Sequence, residues 1–455
     1  MTPLRQELVD LIVEPNQSYN IPYAELVPKQ IAAAQELFAE RIKQIPLLRK
    51  RAEDAGVTRI EKLEDLVPLL FAHTVYKSYP QSFVDQERWD KMLQWLDTLS
   101  VPSVRDVDVL GVKDIDDWLD RLWAAGFRVM ATSGTSGKCS FLLQTEEDYR
   151  RKVRHFKHTV GWPYVRSEPN RTMFWLGPMK GPNSAIESAH ISAENWAKPG
   201  GVVALTDQPL KITEVSRIAA LSKRIAAGEA APEEIAEIEK VAAIKAREGR
   251  AAMEALADKI LDMRGEPIII SGLWAQHLMI LQRARERGIP DGDFHPDTIV
   301  NAGGGVKNVK LPEDYKEQLD RFYGNVVRPA YYGMTELASL MPRCEAGRYH
   351  SSAGLIWLVL DKDGERLLTE ADAIDGKAEG RFAFVDLLFE GRWGGVITGD
   401  KVTIDYKPVC ACGRSGPTLL DNITRWAASG QDDHIGCAGT IDSYVRGVLE
   451  GGAEV

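Results

Sequence analysis

The sequence predicts a mixed α/β protein, and three observations carry that prediction. From Phe127 onward, short apolar runs alternate with amphipathic helical stretches, the texture of sheets flanked by helices. Helical periodicity dominates the first 125 residues, whereas hairpin patterning dominates after Gly354. The 455 residues are also 44% hydrophobic and 27% charged, ample for a large buried core.

The N-terminal helices come first. Ile31, Leu37, Phe38, Ile42 and Ile45 recur at helical spacing after Pro28, and Pro46 interrupts the run. Asp114 to Ala125 places Trp118, Leu119, Leu122 and Trp123 on one face, with Gly126 as the stop. Strands are expected at Phe127–Ala131, Met173–Leu176, Val202–Leu205, Pro267–Ile270, Thr298–Asn301 and Val326–Ala330. Helices are expected at Glu146–Val160, Trp274–Arg287 and Pro312–Tyr323. An Ala/Glu/Lys-rich insertion over 212–263, split near Gly228–Pro232, predicts two long helices that cover a sheet. Asp361-Lys362-Asp363-Gly364 is expected to turn between two short strands.

A formal net charge of −10 argues against nucleic acid or an anionic membrane as the main partner. The segment Met1 to Glu14 lacks the features of a signal peptide, and no apolar run approaches the ~20 residues of a membrane span. Five cysteines in a long chain do not read as a disulfide framework, so a cytoplasmic location is expected.

Three stretches carry chemistry. Thr132-Ser133-Gly134-Thr135-Ser136-Gly137-Lys138 directly follows the expected strand Phe127–Ala131. Its glycines let backbone N–H groups turn toward an anion, its hydroxyls add donors, and its lysine adds charge. It is not the P-loop of common nucleotide hydrolases, because Thr132 and Cys139 stand where that pattern needs a glycine and a Ser or Thr. Taken alone it could equally be a polar surface turn. The second stretch, Tyr331-Tyr332-Gly333-Met334-Thr335-Glu336, sets an aromatic ring beside a glycine, a hydroxyl and a carboxylate suited to a hard cation such as Mg²⁺. Upstream, the glycines of Asn301-Ala302-Gly303-Gly304-Gly305 permit close approach of a flat ring. The third stretch ends in Thr398-Gly399-Asp400, where a carboxylate after a tight turn can accept from two ribose hydroxyls.

The order and spacing of these motifs resemble the superfamily of acyl-CoA synthetases, peptide-synthetase adenylation domains and luciferases. The hydroxyl-rich loop, Gly303-Gly304-Gly305-Val306-Lys307, Tyr332-Gly333-Met334-Thr335-Glu336 and the Cys412-Gly413-Arg414 that follows Thr398-Gly399-Asp400 make the resemblance closest to phenylacetate-CoA ligases and the acyl-protein synthetases of bacterial luminescence. The resemblance covers about residues 127 to 445. It implies a large multilayer adenylate-forming domain, with 1–126 as its helical N-terminal part and 127–421 as its ATP- and acyl-binding core. Residues 422–455 would form a truncated C-terminal domain.

Carried over residue by residue, the resemblance implies that Thr132, Ser133, Gly134, Thr135, Ser136, Gly137 and Lys138 grip the ATP phosphates. Gly303, Gly304 and Tyr332 would bound the adenine, and Thr335 would hold the α-phosphate. Glu336 would hold Mg²⁺, and Asp400 with Arg425 would hold the ribose. The acyl pocket beside the adenine would draw on Trp175, Gly272, Trp274, His277, Gly333 and Met334, although each serves core packing equally well. His190 and His277 also read as ordinary satisfied histidines.

The implied reaction joins a small carboxylic acid to AMP, releases pyrophosphate, and passes the acyl group to an acceptor. CoA is the expected acceptor; a protein cysteine, a carrier protein or an amine is the alternative. A nucleotide-binding subunit without catalysis is a third reading, disfavoured by the presence of both Glu336 and Asp400. The late lysine typical of relatives has no counterpart in the given sequence, so Lys138 or Lys307 is expected to substitute for it in adenylation, the alternatives being a partner protein that completes the site or a different thioesterification half-reaction. Finally, Cys344, His350, Cys410 and Cys412 offer three thiols and an imidazole, the ligand set of a structural Zn²⁺ site, unless they are two unrelated pairs.

Overall fold

The computed structural model describes residues 1–132, 138–303 and 311–426. It divides into two compact units. The first unit comprises Met1–Pro163 together with the chain from Tyr331 onward; the second is Tyr164–Ala330.

The first unit is built on a seven-stranded sheet. Its path runs Arg348–Tyr349, Thr418–Leu420, Gly395–Asp405, Lys377–Asp386 and Leu355–Leu360, all antiparallel. Phe71–Ala72 pairs in parallel with Gly395–Asp405, and Thr424–Arg425 pairs with it antiparallel. Every residue of Leu355–Leu360 is buried, so this strand is covered on both faces and reads as a continuous apolar run.

Helices Pro3–Asp10, Tyr23–Gln44 and Pro46–Ala55 pack nearby. Contrary to the expected start after Pro28, the second of these begins at Tyr23 and carries Pro28 inside it. Proline there removes one helical N–H bond, a loss that burial of Leu26, Gln30, Ala33, Ala34, Leu37 and Phe38 outweighs. Gln30 donates to the Ala353 and Leu355 carbonyls at 3.0 and 3.1 Å, tying helix to sheet.

Helix Glu146–Thr159 opens with a reciprocal capping box. Asp148 N–H donates to Thr145 Oγ1 at 3.1 Å, and Thr145 N–H to Asp148 Oδ2 at 2.8 Å. The same carboxylate accepts from Glu390 N and Gly391 N at 2.6 and 2.9 Å. Glu390 in turn gathers Arg5 at 3.0 Å, Arg151 at 3.1 Å and Arg41. Because Arg5 is fully buried, Glu390→Ala is expected to destabilise folding by about 3 kcal/mol, read from urea melts of the variant.

His155 is buried in the same unit, its Nε2 3.3 Å from the Leu340 carbonyl. Burial pushes its imidazole down to about 4. A histidine so depressed binds more protons unfolded than folded, so its contribution is intact above pH 6.5 and is lost as pH falls toward 4. Urea melts between pH 7 and 4.5 should show a shallower loss of stability for His155→Gln than for the unmodified chain.

The second unit holds a parallel four-stranded sheet in the order Ala197–Thr206, Arg171–Pro178, Ile268–Leu273 and Ile299–Gly303. Parallel neighbours need a crossover, and helix Ser184–Trp196 supplies the one between Arg171–Pro178 and Ala197–Thr206. The insertion forms helices Ile212–Ala226 and Pro232–Asp262. The latter buries Met253, Leu256, Ala257, Ile260 and Leu261 in a core with Phe174, Ile268, Ile270 and Val300, which makes it the expected cover. Helices Trp274–Glu286 and Tyr315–Tyr323 pack on that core too.

Val326–Ala330 does not form the expected strand. Only Val327 bridges to Ile299, and Pro329 has no N–H to extend the ladder.

Candidate active site

In the first unit, Tyr331–Tyr332 pairs antiparallel with Met341–Pro342, with Tyr332 opposite Met341. The hairpin presents Gly333, Met334, Thr335 and Glu336 in its loop. A Cβ at Gly333 would lie 2.5 Å from Leu340 Cδ2, so a larger residue there would need that side chain to move. The Tyr332 hydroxyl donates to Asp400 Oδ2 at 2.6 Å. Arg425 Nε reaches Asp400 Oδ1 at 3.2 Å, and these two residues are register partners on paired strands. The sequence assigned Tyr332 only a stacking role, so its bond to Asp400 is new.

Local structure fixes Asp400. Thr398 Oγ1 donates to the Phe382 carbonyl at 2.8 Å and accepts from Asp400 N at 3.0 Å. Burial and the neighbouring Asp400 carboxylate push the Tyr332 hydroxyl well above its usual value, keeping it a donor. Glu336 lies within electrostatic range of Asp400, Arg392 and Arg425. Burial raises its carboxyl above the usual range, partly opposed by its own backbone N–H and by Arg392. A carboxylate costly to keep charged beside a second one is a fitting cation ligand. Four of the sequence-predicted residues, Tyr332, Glu336, Asp400 and Arg425, therefore share one neighbourhood.

The hydroxyl-rich loop is described at its two ends. Thr132 N donates to the Ser140 carbonyl at 3.1 Å, and Ser140 N to Thr132 Oγ1 at 2.9 Å, closing its base. Lys138 Nζ donates to the Tyr79 carbonyl and stands 4.9 Å from the Tyr79 ring centre. Ser133, Gly134, Thr135, Ser136 and Gly137 lie outside the described residues, as do Gly304 and Lys307.

In the second unit, several acyl-pocket candidates sit at the carboxyl ends of the parallel strands, where open α/β sheets bind ligands. Trp175 pairs with Ser271, Gly272 with Ala302, and Leu273 with Gly303. Trp175 Nε1 donates to the Pro178 carbonyl at 2.9 Å. At Gly272 the Leu176 side chain occupies the space of a Cβ, 2.6 Å away. Trp274 packs edge-on against Tyr315. His277 is fully buried, its Nδ1 2.7 Å from the Tyr323 hydroxyl, which gives it a partner in the core. His190 is exposed, with Nε2 2.7 Å from the Met179 carbonyl.

Cys344, His350, Cys410 and Cys412 converge, their ligand atoms all within 4.8 Å of one another. Two similar turns deliver them. Cys344 N donates to the Arg348 carbonyl and Cys410 N to the Arg414 carbonyl, while Gly347 N and Gly413 N donate back to the two cysteine carbonyls. The Cys344 and Cys410 sulfurs are 3.9 Å apart, and Cys412 Sγ lies 3.5 Å from His350 Nε2. Zn–S bonds of ~2.3 Å and Zn–N bonds of ~2.05 Å in a tetrahedron require S···S of about 3.8 Å and S···N of about 3.6 Å. The spacing thus fits zinc. Burial lowers His350 to about 4, which keeps the imidazole in its metal-binding neutral form, and raises Cys410 to about 12. A bound Zn²⁺ would displace the thiol protons and take the sulfurs as thiolates.

No protein-family model matches the sequence, and no curated protein matches it. Among solved structures, the chain is similar to 2-hydroxyisobutyryl-CoA ligase in an open conformation with 2-HIB-AMP and CoA. That match has a TM-score of 0.53 at 14% identity and covers 91% of this chain and 79% of the other. The same ligase in its thioesterification state gives a TM-score of 0.52 at 15% identity, covering 91% and 72%. These two matches show a fold shared with that ligase. Among the described residues, no helix is long and apolar enough to cross a membrane.

Proposed function

We propose that the protein is an adenylate-forming ligase: it activates a carboxylic acid with ATP and passes the acyl group to a thiol, with CoA as the acceptor. The observation that carries this reading is the joining of Asp400, Tyr332 and Arg425 with Glu336 nearby.

Asp400 retains lone pairs beyond those taken by Tyr332 and Arg425, and these would accept from the ribose hydroxyls. Glu336 would hold Mg²⁺, which supplies charge neutralisation at the phosphates. Thr335 lies one residue before Glu336 and would orient the α-phosphate, while the loop from Thr132 to Lys138 would take the β- and γ-phosphates. The acid's carboxylate oxygen then attacks the α-phosphorus and the bond to pyrophosphate breaks. In the second half-reaction a thiolate attacks the acyl carbonyl and AMP leaves. The chain supplies positioning and charge rather than covalent chemistry. Cys344, His350, Cys410 and Cys412 would hold a structural Zn²⁺.

Pyrophosphate–ATP exchange measured across a panel of aliphatic and aryl acids tests the reading. Acid-dependent exchange is expected, and its absence with every acid would remove the proposal. Adding CoA, then a carrier protein or amines, to the responding acid identifies the acceptor; CoA is expected to give the acyl thioester.

A further inference from the structure

The loop carrying Glu336 is held by two buried charges that no motif announces. Arg392 is 1% exposed, and its guanidinium fork donates from Nη1 to the Leu143 carbonyl and from Nη2 to the Glu336 carbonyl, both at 3.0 Å. Leu143 belongs to strand Phe141–Gln144, the continuation of the hydroxyl-rich loop. A Phe389 ring stacks 3.5 Å from the guanidinium carbon and fixes its plane. Asp386 is fully buried and accepts from Ala338 N and Ser339 N, both at 2.8 Å, from Ser339 Oγ at 3.0 Å and from Leu388 N at 3.1 Å. The segment from Asp386 to Arg392 therefore grips the backbone on both sides of Leu337. Asp148 anchors that segment through Glu390 N and Gly391 N.

We infer that Arg392 is a positioning residue for metal-dependent adenylation, its fork setting the metal-binding carboxylate of Glu336 at a fixed offset from the strand that leaves the phosphate loop, with Asp386 locking the same turn from behind. The inference rests on the proposed function. A buried arginine that gives its guanidinium bonds to two backbone carbonyls is costly to retain for packing alone. Its planar fork can bridge two carbonyls on separate elements, a geometry that the single ammonium of lysine does not reproduce.

The test is pyrophosphate–ATP exchange titrated with Mg²⁺ in the full chain and in Arg392→Ala, Arg392→Lys and Ser339→Ala. The two Arg392 variants should need roughly tenfold more Mg²⁺ for half-maximal exchange and lose about tenfold in kcat, with the KM for the acid within about twofold. Lysine failing to rescue marks geometry rather than charge as the requirement. Ser339→Ala, which removes one hydroxyl bond and keeps the backbone ones, should shift the Mg²⁺ requirement in the same direction by a smaller factor, and it decides the matter if the Arg392 variants do not fold. Folded variants with unaltered Mg²⁺ dependence would overturn the inference while leaving adenylation intact. An unmodified chain that exchanges with no acid would remove both.

Discussion

Replacing Glu336 with glutamine is expected to lower acid-dependent pyrophosphate exchange about 10³-fold, close to 4 kcal/mol of transition-state stabilisation. Glutamine keeps the size and one carbonyl acceptor but withdraws the negative charge that a hard cation needs. Because Arg392 holds the Glu336 backbone at its carbonyl rather than its side chain, the substitution should leave melting behaviour near that of the unmodified chain. The pH profile gives a second readout. Burial raises the Glu336 carboxyl above the usual range, and only its ionised form can hold a cation. Activity as kcat/KM should therefore fall as pH drops through that raised value, at higher pH than for a solvated glutamate. Glu336→Gln should lose this acid limb along with most of the rate. Exchange that survives the substitution, or an unchanged acid limb, would dissociate Glu336 from metal binding.

Much of this site was legible in the sequence because its signals are local. Thr398-Gly399-Asp400 and Tyr332-Gly333-Met334-Thr335-Glu336 each place their chemistry within a few residues, and the capping box at Thr145 can be read from spacing alone. Similarly, Gly126, Gly288 and Gly324 mark helix ends by positive φ. What escaped was long-range. Arg392 reads as one charged residue among many until Leu143 and Glu336, 249 and 56 positions away, are seen at its two ends. Asp386 sits in an apolar run whose meaning depends on a turn 47 residues earlier. Val326–Ala330 looked like a strand by composition, but a proline and the lack of a partner beyond Val327 decided otherwise. His277 could not be assigned from its neighbours because its partner, Tyr323, lies 46 residues away on another helix.

The cysteine–histidine cluster tests how far such long-range closure stabilises the fold. Metal analysis of the purified protein is expected to find one zinc per chain, and Cys410→Ser or strong chelation should remove it. A metal joining Cys344 to Cys410 closes a loop of 66 residues. By the loop-entropy relation for a cross-link, such closure contributes about 4 kcal/mol, before any loss of ligand bonding is counted. The surroundings would add to the damage. Ile12, Tyr19 and Trp162 pack against the cysteines, and Arg414 sits 4.3 Å over the Trp162 ring while pairing with Glu345 at 2.8 Å. Without the cation, Cys344 and Cys410 revert to buried neutral thiols, and the two turns that deliver them lose their common anchor. Unfolding should then shift by more than 4 kcal/mol, or by several degrees in Tm, with re-addition of Zn²⁺ restoring the chelated protein but not Cys410→Ser. Ala411→Ser, between two ligands yet not itself one, should bind zinc and melt as the unmodified chain does. If the protein carries no zinc, or if Cys410→Ser melts unchanged, the four residues are a packed cluster and the stability of this unit rests on its sheet and on the Glu390 ion pairs.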